Sequence, residues 1–284
     1  MGPRVVSFLT AHHLPGWLVP GYWTLLGLAA LVGGAVTLRI AARERAVVHH
    51  QARALLAALA AALVGGYLFE SLRVLPEAVL TWSPLPFFRV GRAAYGGLLG
   101  SIVAASLYLR ANRQPIGPFL DRAVPAAGIA YGCVRLGCFL SGCDYGVPTA
   151  SRLGVRFPPE SPAALDHAAR GWVSEGSRSL PVHPTQLYEA ILGATAAVVA
   201  WGIYRHAPRD GRGFLLWLIL YAAGRLAIEF LRGDESRGIY AGLSSAQWVS
   251  AAILVVALAW TAHLRLRSPA RWAAGPANRT TNRA

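Results

Sequence analysis

Long apolar segments alternate with short polar gaps along the whole chain. Seven of these segments approach the length of about 20 residues that a helix needs to cross the hydrocarbon core of a bilayer. The pattern therefore predicts an all-α membrane protein with about seven transmembrane helices in a single polytopic domain over residues 1–268. The polar, basic tail over residues 269–284 is predicted to be disordered. The predicted spans are residues 17–38, 54–72, 91–109, 123–141, 185–204, 213–231 and 245–263.

The charged residues in the gaps predict the orientation of these spans. All 27 basic residues are arginines, and fifteen of them follow the first, third, fifth and seventh spans, with only three acidic residues on that side. Ten arginines and seven acidic residues lie on the other side. Because arginine-rich connections stay in the cytoplasm, the N-terminus is predicted to lie outside and the C-terminus in the cytoplasm. The longest connection, residues 144–182, is then a cap on the outer side between spans four and five.

Composition agrees with a membrane protein and argues against a nucleic-acid partner. The chain is 55% hydrophobic and 14% charged, with a net charge of +14. Such a charge could attract nucleic acid, but here it is concentrated in the gaps between spans, as membrane topology requires. The three cysteines all lie within residues 133–143, which is not the pattern of a disulfide-stabilised secreted domain. No metal or organic cofactor is expected.

Two arginines fall inside predicted spans, where an unpaired charge is costly. Arg135 could reach the membrane surface along its own helix, and Arg225 could form a structural pair with Glu229, four residues later. The same helix face also carries Tyr221 and Arg232, which favours a polar cavity. Because a guanidinium group matches phosphate oxygens, the anion expected there is a phospholipid headgroup.

Two further polar groups stand at the beginnings of predicted spans. His183, Gln186, Tyr188 and Glu189 enter the fifth span together, beyond what an ordinary helix start with Pro184 and Thr185 explains. Tyr95 precedes the paired glycines 96 and 97 in the third span. Those glycines permit close helix packing, and Tyr95 could direct its phenol into the cavity.

The role of the cysteines stays open at this stage. Cys138 and Cys143 match neither a CxxC redox pair nor a zinc-binding pattern. They could be small apolar filler, or Arg135 could lower the pKa of a thiol and make it a nucleophile. They could also form a disulfide, provided that the helix breaks at Gly142 and does not continue through both residues.

The ordered motifs resemble the bacterial prolipoprotein diacylglyceryl transferase family from about Gly16 to Arg265. The family implies a multi-pass enzyme of the bacterial inner membrane that moves a diacylglyceryl group from phosphatidylglycerol to the lipobox cysteine of a prolipoprotein. The motifs that carry the resemblance are Tyr95-Gly96-Gly97-Leu-Leu-Gly, Gly132-Cys-Val-Arg135-Leu-Gly137, His183-Pro-Thr-Gln-Leu-Tyr-Glu189 and Arg225-Leu-Ala-Ile-Glu229-Phe-Leu-Arg232.

The resemblance also implies roles for individual residues. Arg135 and Arg225 take the positions of headgroup-binding arginines, Glu229 would hold Arg225, and Tyr22 matches another polar position of the family. The predicted catalytic residues are Tyr95, Arg135, Cys138, Cys143, Arg225 and Glu229. The predicted substrate-binding residues are Tyr22, Gly96, Gly97, His183, Gln186, Tyr188, Glu189, Tyr221 and Arg232.

The chain departs from the family pattern at the expected base. The family usually has a histidine where this chain has Tyr95, and an asparagine and a glutamate where it has Cys138 and Cys143. Tyr95, Glu189 or Asp144 could activate the acceptor thiol instead. Two alternatives follow: a membrane thiol oxidoreductase that uses Cys138 and Cys143, and a phospholipid-binding or flipping protein without catalysis.

Overall fold

Helices make up most of the computed structural model, which describes residues 22–80, 94–207, 209–234 and 238–267. Seven long helices overlap the seven predicted spans, and one short helix lies between the fourth and the fifth. The helices are α1 (Tyr22–Arg43), α2 (Val48–Leu80), α3 (Ala94–Ala111), α4 (Ile116–Ser141), α5 (Pro162–Ala169), α6 (Thr185–Tyr204), α7 (Arg212–Glu229) and α8 (Ser245–Arg267).

Within the described residues, five helices are long and apolar enough to cross a membrane: α1, α2, α4, α6 and α8. The other two long helices, α3 and α7, have 18 residues each, and α7 carries the charged residues Arg212, Arg225 and Glu229. Helix α2 extends beyond its predicted span of 54–72 at both ends, over residues 48–53 and 73–80. The predictions for the tail and for the side chain of Tyr22 fall outside the described residues.

The chain forms two compact units, and one of them comprises Gly34–Arg122. In this unit α2 and α3 pack closely through small residues: a Cβ on Gly100 would lie 2.6 Å from the carbonyl oxygen of Ala61. Ala54, Ala105, Leu109 and Phe119 form a buried cluster near the end of this helix pair. Small residues at a helix interface bring the backbones together, as the sequence predicted for these glycines.

The other unit comprises residues 1–33 and 123–284. Helix α7 packs against both α6 and α8. Helix α4 approaches α6 where a Cβ on Gly128 would meet the side chain of Ala197 at 2.5 Å. A short hairpin of β1 (Ile239–Tyr240) and β2 (Leu243–Ser244) leads into α8. The unit therefore brings α4, α6 and α7, which carry the intramembrane charges, into one bundle.

The predicted cap is an ordered segment with its own small core. Ser161 caps α5, accepting a hydrogen bond from the Ala164 amide at 3.2 Å. An isolated β-bridge between Gly146 and Arg232 joins the segment to the end of α7. A Cβ on Gly146 would lie 2.6 Å from the His183 carbonyl oxygen, so the crossing requires glycine there. The core consists of Phe139, Tyr145, Phe157, Ala163 and Val182.

Candidate active site

Three arginines surround one fully buried carboxylate in the bundle of α4, α6 and α7. Glu189 on α6 has no exposed surface. The Nε of Arg135 lies 2.7 Å from its Oε2, the Nε of Arg225 lies 3.4 Å from the same atom, and the Nη1 of Arg232 lies 3.6 Å from its Oε1. The structure thus brings together four residues that the sequence singled out on three separate segments.

Asp144 forms a second bridge between two of these arginines. Its Oδ2 accepts from Nη1 of Arg135 at 2.5 Å, and its Oδ1 accepts from Nη2 of Arg232 at 2.9 Å. Burial opposes ionisation of Asp144, but Arg232 and Arg135 outweigh burial and hold the pKa of its carboxyl well below the ordinary value. Its side chain is 31% exposed, whereas that of Glu189 is 0% exposed. Asp144 is therefore the more accessible of these two carboxylates.

Two more carboxylates complete the cluster. Glu229 pairs with Arg225 one helical turn earlier, as the i, i+4 spacing predicted. Asp234 accepts from Nε and Nη2 of Arg232 at 2.6 and 2.7 Å in a forked arrangement. The cluster formed by these residues thus has three guanidinium groups and four carboxylates.

Aromatic rings form one wall of this cluster. Tyr131 donates a hydrogen bond to Glu189, and the guanidinium of Arg135 lies 5.1 Å from the centre of its ring. Tyr221 stands edge-on to Tyr131 at 4.9 Å and stacks on Trp217 at 5.5 Å. The sequence analysis missed Tyr131 and Asp234. Tyr131 precedes Arg135 by four residues on the same helix face, and Asp234 follows Arg232 by two, so their spacing was the available signal.

The beginning of α6 holds the loop that carries Asp144. The amide of Gln186 donates to the carbonyl oxygen of Cys143 at 2.6 Å, and the hydroxyl of Thr185 donates to that of Asp144 at 2.7 Å. Gln186, predicted to bind substrate, thus fixes the backbone next to the arginines. His183 and Tyr188 are half-buried and contact each other, with Nδ1 and the phenolic oxygen 3.2 Å apart.

The helix break that the sequence analysis required between the cysteines is present. Helix α4 ends at Ser141, and Gly142 has a φ of +75°, which glycine adopts without strain. The sulfur atoms of Cys138 and Cys143 and a carboxylate oxygen of Asp144 lie within 4.8 Å of one another. These three groups could serve as metal ligands, but both oxygens of Asp144 already bind arginines.

Tyr95, Gly96 and Gly97 belong to the other unit, so their predicted place in the same cavity stays a prediction. Tyr95 is buried. Gly96 faces the backbone of Gly65 on α2, which gives it a packing role. It also lines an apolar groove of about 480 Å³, whose walls are formed by Gly65, Leu68, Phe69, Ser71, Leu72, Leu75, Gly96, Leu99 and Gly100.

Comparisons with known proteins agree with the resemblance. The model of the prolipoprotein diacylglyceryl transferase family matches residues 10–263. The phosphatidylglycerol–prolipoprotein diacylglyceryl transferase of Clostridium tetani is 34% identical over 168 residues, which cover 59% of this chain and 62% of that protein. The second such enzyme of Clostridium perfringens is 30% identical over 168 residues, covering 59% of this chain and 60% of that protein. The enzyme of Symbiobacterium thermophilum is 32% identical over 188 residues, covering 66% and 65%.

In each of these three alignments the chain spans less than two thirds of the relative's length. The family match is longer, since it runs over residues 10–263. Five helices able to cross a bilayer and a family of membrane enzymes together identify a multi-pass membrane protein. By this match, the chain belongs to the prolipoprotein diacylglyceryl transferase family.

Proposed function

We propose that the protein transfers the diacylglyceryl group of phosphatidylglycerol to the lipobox cysteine thiol of a prolipoprotein or a related acceptor. The observation that carries this proposal is the convergence of Arg135, Arg225 and Arg232 on Glu189 inside an apolar bundle. Buried guanidinium groups are suited to the phosphate of a lipid headgroup. The curated relatives carry the name of this reaction.

The reaction needs a site that stabilises a departing phosphate. The acceptor thiolate attacks the glyceryl carbon that bears the phosphate ester, an S–C bond forms, and the C–O bond breaks. Glycerol phosphate leaves with one more negative charge than the phosphodiester had. Arg135 and Arg232 are positioned to take this charge, since both already hold a carboxylate at hydrogen-bonding distance.

We assign to Asp144 the role of general base, which a histidine at the position of Tyr95 would have in the family. In the structure, the pKa of Asp144 is low because Arg232 and Arg135 stabilise its charge more than burial opposes it. A donor phosphate that takes over these two arginines frees the carboxylate and removes this stabilisation, so its pKa rises. Asp144 then accepts the proton of the acceptor thiol, which couples donor binding to acceptor activation.

The membrane arrangement belongs to the same proposal. Seven spans, a periplasmic N-terminus and a cytoplasmic C-terminus in the bacterial inner membrane follow from the distribution of arginines. The segment 144–182 then forms a periplasmic cap within the single domain of residues 1–268, and the tail 269–284 lies in the cytoplasm.

Turnover of purified protein tests the proposal. The protein in detergent would receive phosphatidylglycerol labelled in its acyl chains and a lipobox peptide, with the matching serine peptide as control. We expect labelled cysteine peptide and released glycerol phosphate, and no product with serine. Bound lipid without either product would contradict the proposal and favour a lipid-binding or flipping protein. Disulfide turnover without lipid transfer would favour the thiol oxidoreductase.

A further inference from the structure

The end of α4 places two cysteine side chains against each other. The amide of Cys143 donates to the carbonyl oxygen of Cys138 at 3.2 Å, and the amide of Gly142 donates to that of Phe139 at 3.3 Å. With Gly142 in the left-handed conformation, these bonds define a Schellman motif. In this motif the side chains at the positions of Cys138 and Cys143 are normally apolar and in contact. Here both positions carry a thiol.

The two thiols differ in ways that suit disulfide exchange. Cys138 is 6% exposed, whereas Cys143 is half-buried. The Cys143 thiol donates a hydrogen bond to the carbonyl oxygen of Cys138 at 3.7 Å. The neighbouring Cys138 side chain lowers the pKa of Cys143, with Arg135 and Arg232 acting in the same direction and burial and Asp144 opposing it. Cys143 is thus the attacking thiol and Cys138 the resolving one.

We propose that Cys138 and Cys143 form a redox-active thiol pair that closes to an intrachain disulfide by exchange with a low-molecular-weight disulfide. The thiolate of Cys143 attacks one sulfur of that disulfide, forms a mixed disulfide and releases one thiolate. Cys138 then gives up its proton, attacks the sulfur of Cys143 and releases the second thiolate. The protein loses two electrons, the small disulfide gains two, and the two cysteine protons pass to the two thiols released.

A disulfide fits this site better than a metal ion. A cation would have to take Asp144 away from Arg135 and Arg232, and it would lie close to both guanidinium groups. A disulfide requires no displacement of Asp144 from its arginines, and the two sulfur atoms are already within 4.8 Å of each other. The backbone beside them stays held by Gln186 and Thr185. The redox chemistry proposed for Cys138 and Cys143 does not depend on the proposed transferase reaction.

Cys133 supplies a matched control within the same chain. It precedes Cys138 by five residues, the same spacing as that between Cys138 and Cys143. However, α4 is unbroken between Cys133 and Cys138, and five residues of helix at 3.6 residues per turn place two side chains on different faces. The sequence spacing is therefore equal in the two pairs, and only the pair across Gly142 is expected to react.

The experiment is treatment of the purified full-length protein with glutathione disulfide, followed by alkylation and mass spectrometry. We expect the wild-type protein and Cys133→Ser to lose two hydrogen atoms and two alkylatable thiols, with recovery in dithiothreitol. Cys143→Ser should form no internal disulfide, and Cys138→Ser should retain glutathione on Cys143. Three alkylatable thiols in treated wild-type protein, or a link through Cys133, would overturn the proposal. So would one zinc ion per chain that shields both thiols and prevents the disulfide.

Discussion

Two carboxylates of the arginine cluster, Glu189 and Asp144, differ in their exposure to solvent. Glu189 is enclosed by three arginines and has no exposed surface, so it holds the guanidinium groups in place. Asp144 holds two of the same arginines but is 31% exposed. Removing one partner of a buried pair leaves the other charge uncompensated, which is strongly destabilising. Asp144 is therefore the carboxylate whose role can be tested with least damage to the fold.

The variant Asp144→Asn tests whether Asp144 acts as a base or only binds the arginines to which the donor phosphate would bind. Asparagine keeps an oxygen for one arginine but cannot take a proton. If Asp144 is the base, we expect kcat to fall by roughly 10²-fold or more, with partial recovery in Asp144→Glu. Steady-state kinetics with the lipobox peptide measures this. An unchanged kcat with a lower KM for the lipid would show instead that Asp144 only competes with phosphate.

At the residue scale, the sequence identified the charged residues of the site better than the contacts that they make. An arginine inside an apolar span signals a buried polar site, which is why Arg135, Arg225 and Glu229 were found. Tyr131 and Asp234 were missed because a tyrosine in a span and an aspartate after one are ordinary features by themselves. The pairing of Cys138 with Cys143 was left open, because it depends on how the helix ends at Gly142.

Among the elements, the segment between α4 and α6 is a connection between two long helices that folds around a small core of its own. His167 on α5 is fully buried, and its Nδ1 accepts the amide of Leu180 at 3.1 Å. Tyr145 stands edge-on to the same ring at 5.4 Å, and Asp166 accepts from the Tyr145 hydroxyl. These contacts fold the segment around one histidine, which the sequence analysis did not single out.

We predict that this segment loses stability in mild acid. Burial lowers the pKa of His167, so the unfolded segment binds a proton more readily than the folded one. Its stability is then complete above the ordinary histidine pKa of about 6.5 and falls as the pH drops below that value. Hydrogen exchange of residues 155–182 at several pH values measures this. His167→Asn keeps an acceptor near Leu180 without titrating and should abolish the dependence; an equal dependence in the variant would contradict the assignment.

Close packing of α2 against α3 gives a second prediction. A Cβ on Gly100 would lie 2.6 Å from the carbonyl oxygen of Ala61, whereas one on Gly34 in α1 would meet nothing within 4 Å. Gly100→Ala should therefore destabilise the protein by about 1–3 kcal/mol through overpacking. Gly34→Ala should leave it unchanged or stabilise it by up to about 1 kcal/mol, because alanine favours helix. Thermal unfolding in detergent compares the two, and equal effects would contradict the packing.

For the whole molecule, the hydrophobic pattern located every long helix among the described residues but not the helix ends. Helix α2 runs from Val48 to Leu80, so it also includes polar residues such as His49, His50 and Arg53 that the hydrophobic pattern assigned to the gap between spans. Helix α7 combines three charged residues with an apolar remainder. Such a helix is stable in a bilayer only where neighbouring helices cover the charges, which a single segment of sequence does not reveal.

The orientation of the spans can be tested on exposed connections. Glu175 lies in the cap segment and His206 between α6 and α7, and both are exposed. We expect a membrane-impermeant maleimide to label Glu175→Cys in cells with a permeable outer membrane, above the background of the unsubstituted chain. His206→Cys should be labelled only after the inner membrane is opened. The reverse result would contradict the periplasmic placement of the cap.

The most direct test of the central claim is the rate of glycerol phosphate release in Arg135→Lys beside Arg122→Lys. Both arginines are buried and ion-paired, Arg122 to Glu44 at 2.8 Å in the other unit. Lysine keeps the charge but loses the planar fork that fits phosphate. We expect kcat to fall by about 10²–10³-fold in Arg135→Lys and to stay near wild type in Arg122→Lys. Equal rates in the two variants would contradict a phosphate-binding role for the cluster around Glu189.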